Sequence, residues 1–463
     1  MPASIAWGAR PTGGSAGHYF SFIEAPQMNH QGAHRGALWS RGREADRIDC
    51  PWELLRTSVV VTMLPLPFTA KRRSPSIAWQ PNHKPELDGI RGIALLAVML
   101  SHGGGRYILR TTFAAKLCAY AMVPGWSGVE LFFVLSGFLI TGILLKSKAA
   151  ENYFSSFYAR RFLRIFPIYY LVVTAGLVAA HYNFWWNTVM PPERMRIAYY
   201  IYAQNWPVFW NHGAYQTVSV FGHFWSLAVE EQFYLVWPLV IWLMSEGWIL
   251  SLCTAGLVIA LPLRFFVVHH YAESLGAMVL TTSRMDGLLI GAILAILLRR
   301  GQIPLRWIWA AFGLGGGIFG YIAVFHHREL IDTRFYMPTL GITAFALLSG
   351  GLLAISQHRI PRLHHLLCAR WLRTVGKYSY GMYIYHIPIY LVLEHVLEAR
   401  FGVVFPLPLG WALLYIGFLI AVTFVVAKVS YDLFESKILA LKVHFKPRFA
   451  RSADGVGATF EAA

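Results

Sequence analysis

Charge is scarce in this sequence. Of its 463 residues only 14% are Asp, Glu, Lys or Arg, against about 25% in soluble globular proteins. That deficit excludes an ordinary soluble domain. Cysteine is scarce too: four residues, Cys50, Cys118, Cys253 and Cys368, with no CxxC pair and no metal-like cluster. Two of them lie in apolar runs, so neither a disulfide framework nor a bound metal is expected. The apolar runs are continuous rather than alternating, which excludes a membrane β-barrel. A soluble basic domain is also missing. The net charge is +17, which in a soluble chain would suggest nucleic acid. Here the basic residues flank apolar runs, so no nucleic-acid partner is expected.

What is present is hydrophobic and aromatic. The chain is 56% hydrophobic, with 17 Trp, 23 Tyr and 31 Phe. Roughly 20 apolar residues are needed to cross a bilayer as a helix, and backbone polar groups in lipid must be satisfied within the span. The expected fold is therefore an all-α integral membrane protein with about ten transmembrane helices. Their expected spans are 90–104, 127–145, 165–181, 224–244, 248–268, 285–298, 307–325, 337–356, 378–396 and 407–427. Residues 153–164 interleave aromatic and basic side chains and read as an interfacial stretch. The connection 182–222 is the longest, with aromatics suited to a membrane surface.

Three regions follow: a tail over 1–80, a transmembrane domain over 81–435 and a cytoplasmic tail over 436–463. The first tail is rich in Gly, Ser, Arg and His and repeats Ser-Ile-Ala-Trp at Ser4 and Ser76. It is expected to be disordered, or to precede a true start near Met63. Basic residues set the orientation. Lys71, Arg72, Arg73, Lys84, Lys146, Lys148, Arg299, Arg300, Arg359, Arg362, Arg370, Arg373 and Lys377 fall on one side, with Arg106, Arg110, Lys116, Arg194 and Arg196 on the other. An even number of spans with both termini cytoplasmic explains this bias.

Ionisable residues within spans are costly and mark functional sites by default. Asp88, Arg91 and His102 share the first span. Arg91 and His102 are eleven residues apart, close to three helical turns, so they share a face at roughly 16 Å along the axis. Asp88 can pair with Arg91. His102 suits a general base, since imidazole titrates near working pH; a hydrogen-bonded structural histidine explains the spacing equally well. Glu130 sits near the outer end of the second span, while Ser136, Gly137 and Thr141 suit close helix packing. Arg161 and Arg164 share one helical face, and arginine forks suit phosphate. Anchoring at the cytoplasmic interface accounts for that spacing at least as well. Glu230 and Glu231 are adjacent in the fourth span and point about 100° apart, toward different neighbours. His386, in the ninth span, is as suited to a hydrogen bond between helices as to catalysis.

An ordered set of segments goes further: LDGIRGIALLAVMLSH, FFVLSGFLIT, FYARRFLRIFP, FWSLAVEEQFYLVWP, SRMDGLLIGA and GKYSYGMYIYH. Together they resemble the membrane-bound acyltransferase family 3, from about Pro85 to Phe434. The family's arginine–ten residues–histidine signature falls on Arg91 and His102. Its arginine–two residues–arginine signature falls on Arg161 and Arg164. Its acidic position in the second helix, often Asp, is Glu130 here. Some members carry a soluble esterase-like domain; no Gly-Asp-Ser-type motif follows Leu441, so none is expected.

The resemblance implies O-acylation of a carbohydrate or glycolipid hydroxyl by acyl-CoA, acetyl-CoA first among candidates, in a bacterial inner membrane. The expected catalytic set is His102, Arg91, Asp88, Glu130, Glu230 and Glu231. Arg161, Arg164 and Arg91 are expected to hold the donor's phosphates. Direct transfer and an acyl-histidine intermediate both remain open. Two other classes fit buried charge. A transporter is disfavoured because no inverted repeat relates the halves. A non-catalytic sensor is disfavoured because both signatures are intact. Acceptor identity and oligomeric state are not legible.

Overall fold

The computed structural model describes residues 84–182, 184–210, 219–271, 274–301, 303–327, 330 and 335–449. The expected tail over 1–80, with Cys50, both Ser-Ile-Ala-Trp copies and Lys71 to Arg73, lies outside the described residues.

Among the described residues there are ten helices of fifteen residues or more. They are α1 (Pro85–Tyr107), α2 (Gly128–Ser147), α3 (Tyr153–Tyr182), α4 (Trp225–Leu243) and α5 (Glu246–Tyr271), then α6 (Met285–Arg300), α7 (Leu305–Phe325), α8 (Ile342–Ser356), α9 (Arg370–Phe401) and α10 (Leu409–Ser430). No β-strand occurs among the described residues. One isolated parallel bridge, Ile108 to Leu407, ties the end of α1 to the start of α10.

Local sequence explains the ends. Pro85 opens α1, with Glu86 and Asp88 in the first turn, where a missing N–H costs nothing and negative charge suits the helix dipole. Gly402 closes α9 at φ 65°, the left-handed conformation glycine adopts without strain.

Six helical stretches are long and apolar enough to cross a membrane: Phe113–Ser147, Tyr153–Tyr182, Glu246–His270, Leu305–Phe325, Met337–Ser356 and Leu409–Phe445. α1, α4, α6 and α9 are not among them. Those four carry much of the polar chemistry: Arg91 and His102 on α1, Glu230 and Glu231 on α4, Asp286 on α6, His386 on α9. Polar residues lower the apolar signal of α1, α4 and α9, and α6 is only 16 residues long, so helices that furnish the interior are the hardest to read as spans.

Burial separates inner from outer helices. The most apolar window is 78% buried in Phe113–Ser147, which includes α2, but only 17% buried in α7. α7 exposes Trp307, Trp309, Leu314, Val324 and Phe325, the composition of a lipid-facing surface.

The inner helices meet backbone to backbone. A Cβ on Gly137 of α2 would lie 1.9 Å from the carbonyl oxygen of Leu288 on α6, and one on Gly376 of α9 would lie 1.9 Å from that of Asp88 on α1. Helices in lipid associate largely through such close packing of small residues.

Two local expectations change. Residues 153–164 are continuous with the span that follows: they form the first turns of α3, which runs on through Pro167. Proline suggests a boundary because the preceding residue disfavours the helical region, yet within a membrane protein neighbours can re-satisfy the freed carbonyl. The connection after α3 folds into short helices at Phe184–Thr188, Glu193–Tyr200 and Asn205–Trp210. After α10, residues up to Lys446 dock on the start of α3: Ser156 donates to the Phe445 carbonyl at 2.8 Å and Asn152 to that of Lys446 at 2.9 Å.

Candidate active site

α1 and α9 run side by side and bring two imidazoles together. His102 Nδ1 lies 2.9 Å from His386 Nε2, and the rings stack at 18° with centroids 5.1 Å apart. His386 is fully buried, whereas His102 is partly accessible. A third imidazole, His223, closes on His386 with ring centroids 4.6 Å apart. Tyr383 ties His386 and His223 together. Its backbone carbonyl lies 2.7 Å from His386 Nδ1 and 3.0 Å from His223 Nε2. Its hydroxyl donates to the His223 carbonyl at 2.9 Å and contacts Ser226 Oγ at 2.6 Å. Pro388, inside α9, lacks the N–H that would otherwise bond the Ile384 carbonyl, and its ring crowds that turn.

Toward the other end of α1 the site turns cationic. Arg91 pairs with Asp88 at 3.1 Å, as the three-residue spacing requires. Arg161 and Arg164 lie close enough to Arg91 to repel it, and Lys442 adds a fourth positive group to the arginines of α3. Arg161 stacks over the Tyr234 ring at 5.1 Å. Among the described residues neither Arg161 nor Arg164 has a carboxylate within ion-pair distance, though Glu230 and Glu231 act on Arg161 and Glu435 on Arg164 at longer range. Arg164, Lys377, Tyr380 and Glu435 help to line a pocket beside them.

Glu230 and Glu231 share Arg161 as a neighbour but differ in their other contacts. Glu230 accepts from Ser136 Oγ at 2.6 Å, and Ser136 in turn accepts from the Tyr234 hydroxyl at 2.9 Å. Glu231 interacts with Glu230 and Arg161. Of the three small residues on α2, Gly137 packs as expected, but Ser136 and Thr141 also hydrogen-bond. Thr141 accepts from the Trp237 indole at 2.8 Å.

Glu130 is taken up elsewhere. It pairs with Arg284 at 2.7 Å, and neither side chain is exposed. The rings of Trp126, Phe133 and Trp225 lie 5.7, 5.5 and 5.1 Å from the same guanidinium. A second buried pair, Arg264 with Asp286 at 2.9 Å, lies beside it. Arg264 also donates to the Ser283 and Thr339 carbonyls and to Thr343. Among the described residues no carboxylate hydrogen-bonds His102; its partner is His386.

Arg264, Arg284, Asp286 and His223 carry no assigned role in the sequence reading. A charge inside an apolar run is the signal that marks Arg264; the others sit at helix starts, where charge is unremarkable until its partner is known. A possible metal cluster also emerges from the fold. Single ligand atoms of Glu86, His364 and Cys368 lie within 4.8 Å of one another. Lys84, Arg359 and Arg373 surround them, a field that opposes a bound cation.

Fold and site define a polytopic helical membrane protein with clustered imidazoles at one level and clustered arginines at another. Residues 84–428 match the family described as acyltransferase domain, and the chain belongs to that family, membrane acyltransferase family 3. It is similar to the peptidoglycan O-acetyltransferase OatA of Listeria monocytogenes, 28% identical over 76% of this chain and 55% of the relative. It is likewise similar to the O-acetyltransferase OatA of Staphylococcus aureus, 27% identical over 67% of this chain and 51% of the relative. A third relative is the putative peptidoglycan O-acetyltransferase YrhL of Bacillus subtilis, 28% identical over 76% of this chain and 54% of the relative. The chain thus spans about half the length of these curated relatives. No solved structure matches it.

Proposed function

We propose that this protein is a membrane-embedded O-acetyltransferase that moves an acetyl group from acetyl-CoA to a hydroxyl of a cell-surface carbohydrate, with His102 as general base. The observation that carries the reading is a partly accessible, hydrogen-bonded His102 on the same helix as Arg91, around which Arg161, Arg164 and Lys442 gather. Family membership supports reading that arrangement as an acyl-transfer site rather than an ion path. The curated relatives' names supply the acetyl group and, by analogy, a polysaccharide acceptor.

All ten long helices cross the membrane in this proposal, with both termini cytoplasmic, in a bacterial inner membrane. Acyl-CoA is cytosolic and carries several phosphate charges. Arg161 and Arg164 receive them as charge-assisted hydrogen bonds, helped by Arg91, which Asp88 holds in place. The thin pantetheine arm follows α1 toward His102, a span of roughly 16 Å. His102 Nε2 takes the proton of the acceptor hydroxyl while its oxygen bonds to the thioester carbon. The tetrahedral intermediate then expels the thiolate, breaking the C–S bond, and the imidazolium returns its proton to the sulfur. Glu230 and Glu231 set the charge between the two sites, and Glu130 holds Arg284 and so the packing of α2 on α6.

The test follows thiol release from acetyl-CoA by the protein in nanodiscs, with and without peptidoglycan fragments and other glycans. Release that needs both His102 and an acceptor supports direct transfer; a single-turnover burst without acceptor points to an acyl-histidine instead. If well-folded protein turns over no acyl-CoA of any chain length, the enzyme reading fails and a transporter becomes the better account.

A further inference from the structure

The hydrogen bonds around His386 fix more than a helix contact. A carbonyl oxygen can only accept, so at 2.7 Å from the Tyr383 carbonyl the His386 Nδ1 must carry a proton. In a neutral imidazole the other nitrogen then offers a lone pair. That nitrogen, Nε2, lies 2.9 Å from His102 Nδ1, so His102 must donate there. Its remaining nitrogen, Nε2, is left unprotonated. The opposite assignment needs a doubly protonated His386. That would place a cation on a side chain with no exposed surface, beside His223 and with no hydrogen-bonded carboxylate among the described residues, an expensive arrangement.

We infer that His386 is a positioning residue for His102: it fixes the tautomer and ring angle that present the His102 Nε2 lone pair to the acceptor hydroxyl. This deepens, and rests on, the reading of His102 as the base. An imidazole free to change tautomer spends part of its time with a proton where the lone pair is needed, and a third group that orients the base is a recurring solution. Here the orienting group is a neutral imidazole rather than a carboxylate. It is itself anchored by the Tyr383 carbonyl, and His223 braces the same carbonyl from the far side at 3.0 Å. The anchor therefore adds no charge to a buried region, where an unpaired carboxylate would be costly.

Two measurements test it on the full chain in nanodiscs. The first is nitrogen NMR of histidine-labelled wild type near pH 8, with the His102 signals assigned by their loss in His102→Gln. A protonated Nδ1 and bare Nε2 are expected; a protonated Nε2 overturns the inference. This spectrum needs no donor, and the unchanged signals of the other histidines in His102→Gln show that the variant used for assignment is folded. The second compares His386→Leu with His386→Gln in acetyl-CoA thiol release. Leu fills the space without an acceptor, whereas the Gln amide oxygen reaches the Nε2 position. The expected result is a roughly 100-fold fall in kcat for Leu with KM within about twofold, and recovery of about tenfold or more by Gln, on the scale of general base catalysis. Equal loss in both, or loss confined to KM, makes His386 a structural contact only. Full activity in His102→Gln sinks the base assignment instead, while the tautomer spectrum still decides what His386 does to His102.

Discussion

Arg284 and Glu130 meet at 2.7 Å with neither side chain exposed, joining the start of α6 to the start of α2. Breaking a buried pair from one side strands a charge and costs about 3–5 kcal/mol, while replacing both partners by apolar groups is often neutral. Glu130→Gln and Arg284→Met are each expected to lower the thermal midpoint sharply, and Glu130→Leu/Arg284→Met to lose less than either. Fluorescence-detected size exclusion after heating reads all three. If the double variant is as unstable as the sum of the singles, the pair is not acting as a unit.

The glycine contacts predict a contrast within one protein. Gly137→Ala drives a methyl into the Leu288 backbone, which cannot yield without separating α2 from α6, so a loss above about 3 kcal/mol or failure to insert is expected. Gly317→Ala on α7 meets nothing within 4 Å and should be neutral, or stabilise by up to about 1 kcal/mol by restricting the unfolded chain. Equal behaviour in the same heating assay contradicts the packing described.

Natural cysteines report orientation. Cys118 lies in the helix Phe113–Met122, which follows α1, while Cys368 precedes α9; both are partly accessible. With Cys50 replaced by Ser, a membrane-impermeant maleimide added to intact cells should label Cys118, and label Cys368 only after the inner membrane is opened. The reverse pattern inverts the proposed topology.

Donor binding should separate from chemistry. Arg161→Ala/Arg164→Ala removes two cations near the proposed phosphate site, each worth about 1.5–3 kcal/mol if hydrogen-bonded to charge. The expected effect is a KM for acetyl-CoA raised by 100-fold or more, with kcat changed far less, and weaker dependence of KM on salt. Steady-state kinetics at two ionic strengths decide this. A fall in kcat alone would move the arginines out of donor binding.

Helix positions were legible because apolar run length is a local property: each of the ten expected spans coincides with or lies largely within one long helix. Pairings within one helix were legible too, as with Asp88 and Arg91. Partners across helices were not. His102 and His386 are 284 residues apart, and only their own helices' spacing is written locally. The same holds for Glu130, which reads as a candidate catalytic acid until Arg284 is found against it. Arg264 stands out in the sequence as a charge within an apolar run, but its partners do not, and its hydrogen bonds tie α5 to the starts of α6 and α8.

The Tyr383 carbonyl has a consequence for how this site evolves and how it can be surveyed. Two imidazoles take their bearings from a peptide oxygen that every amino acid possesses. No replacement at position 383 can delete it. A substitution scan there will report only on the ring and its hydroxyl, and will credit the position with less than it does. Drift at that position is buffered for the same reason, and the geometry is instead exposed to changes that bend the helix, Pro388 first among them.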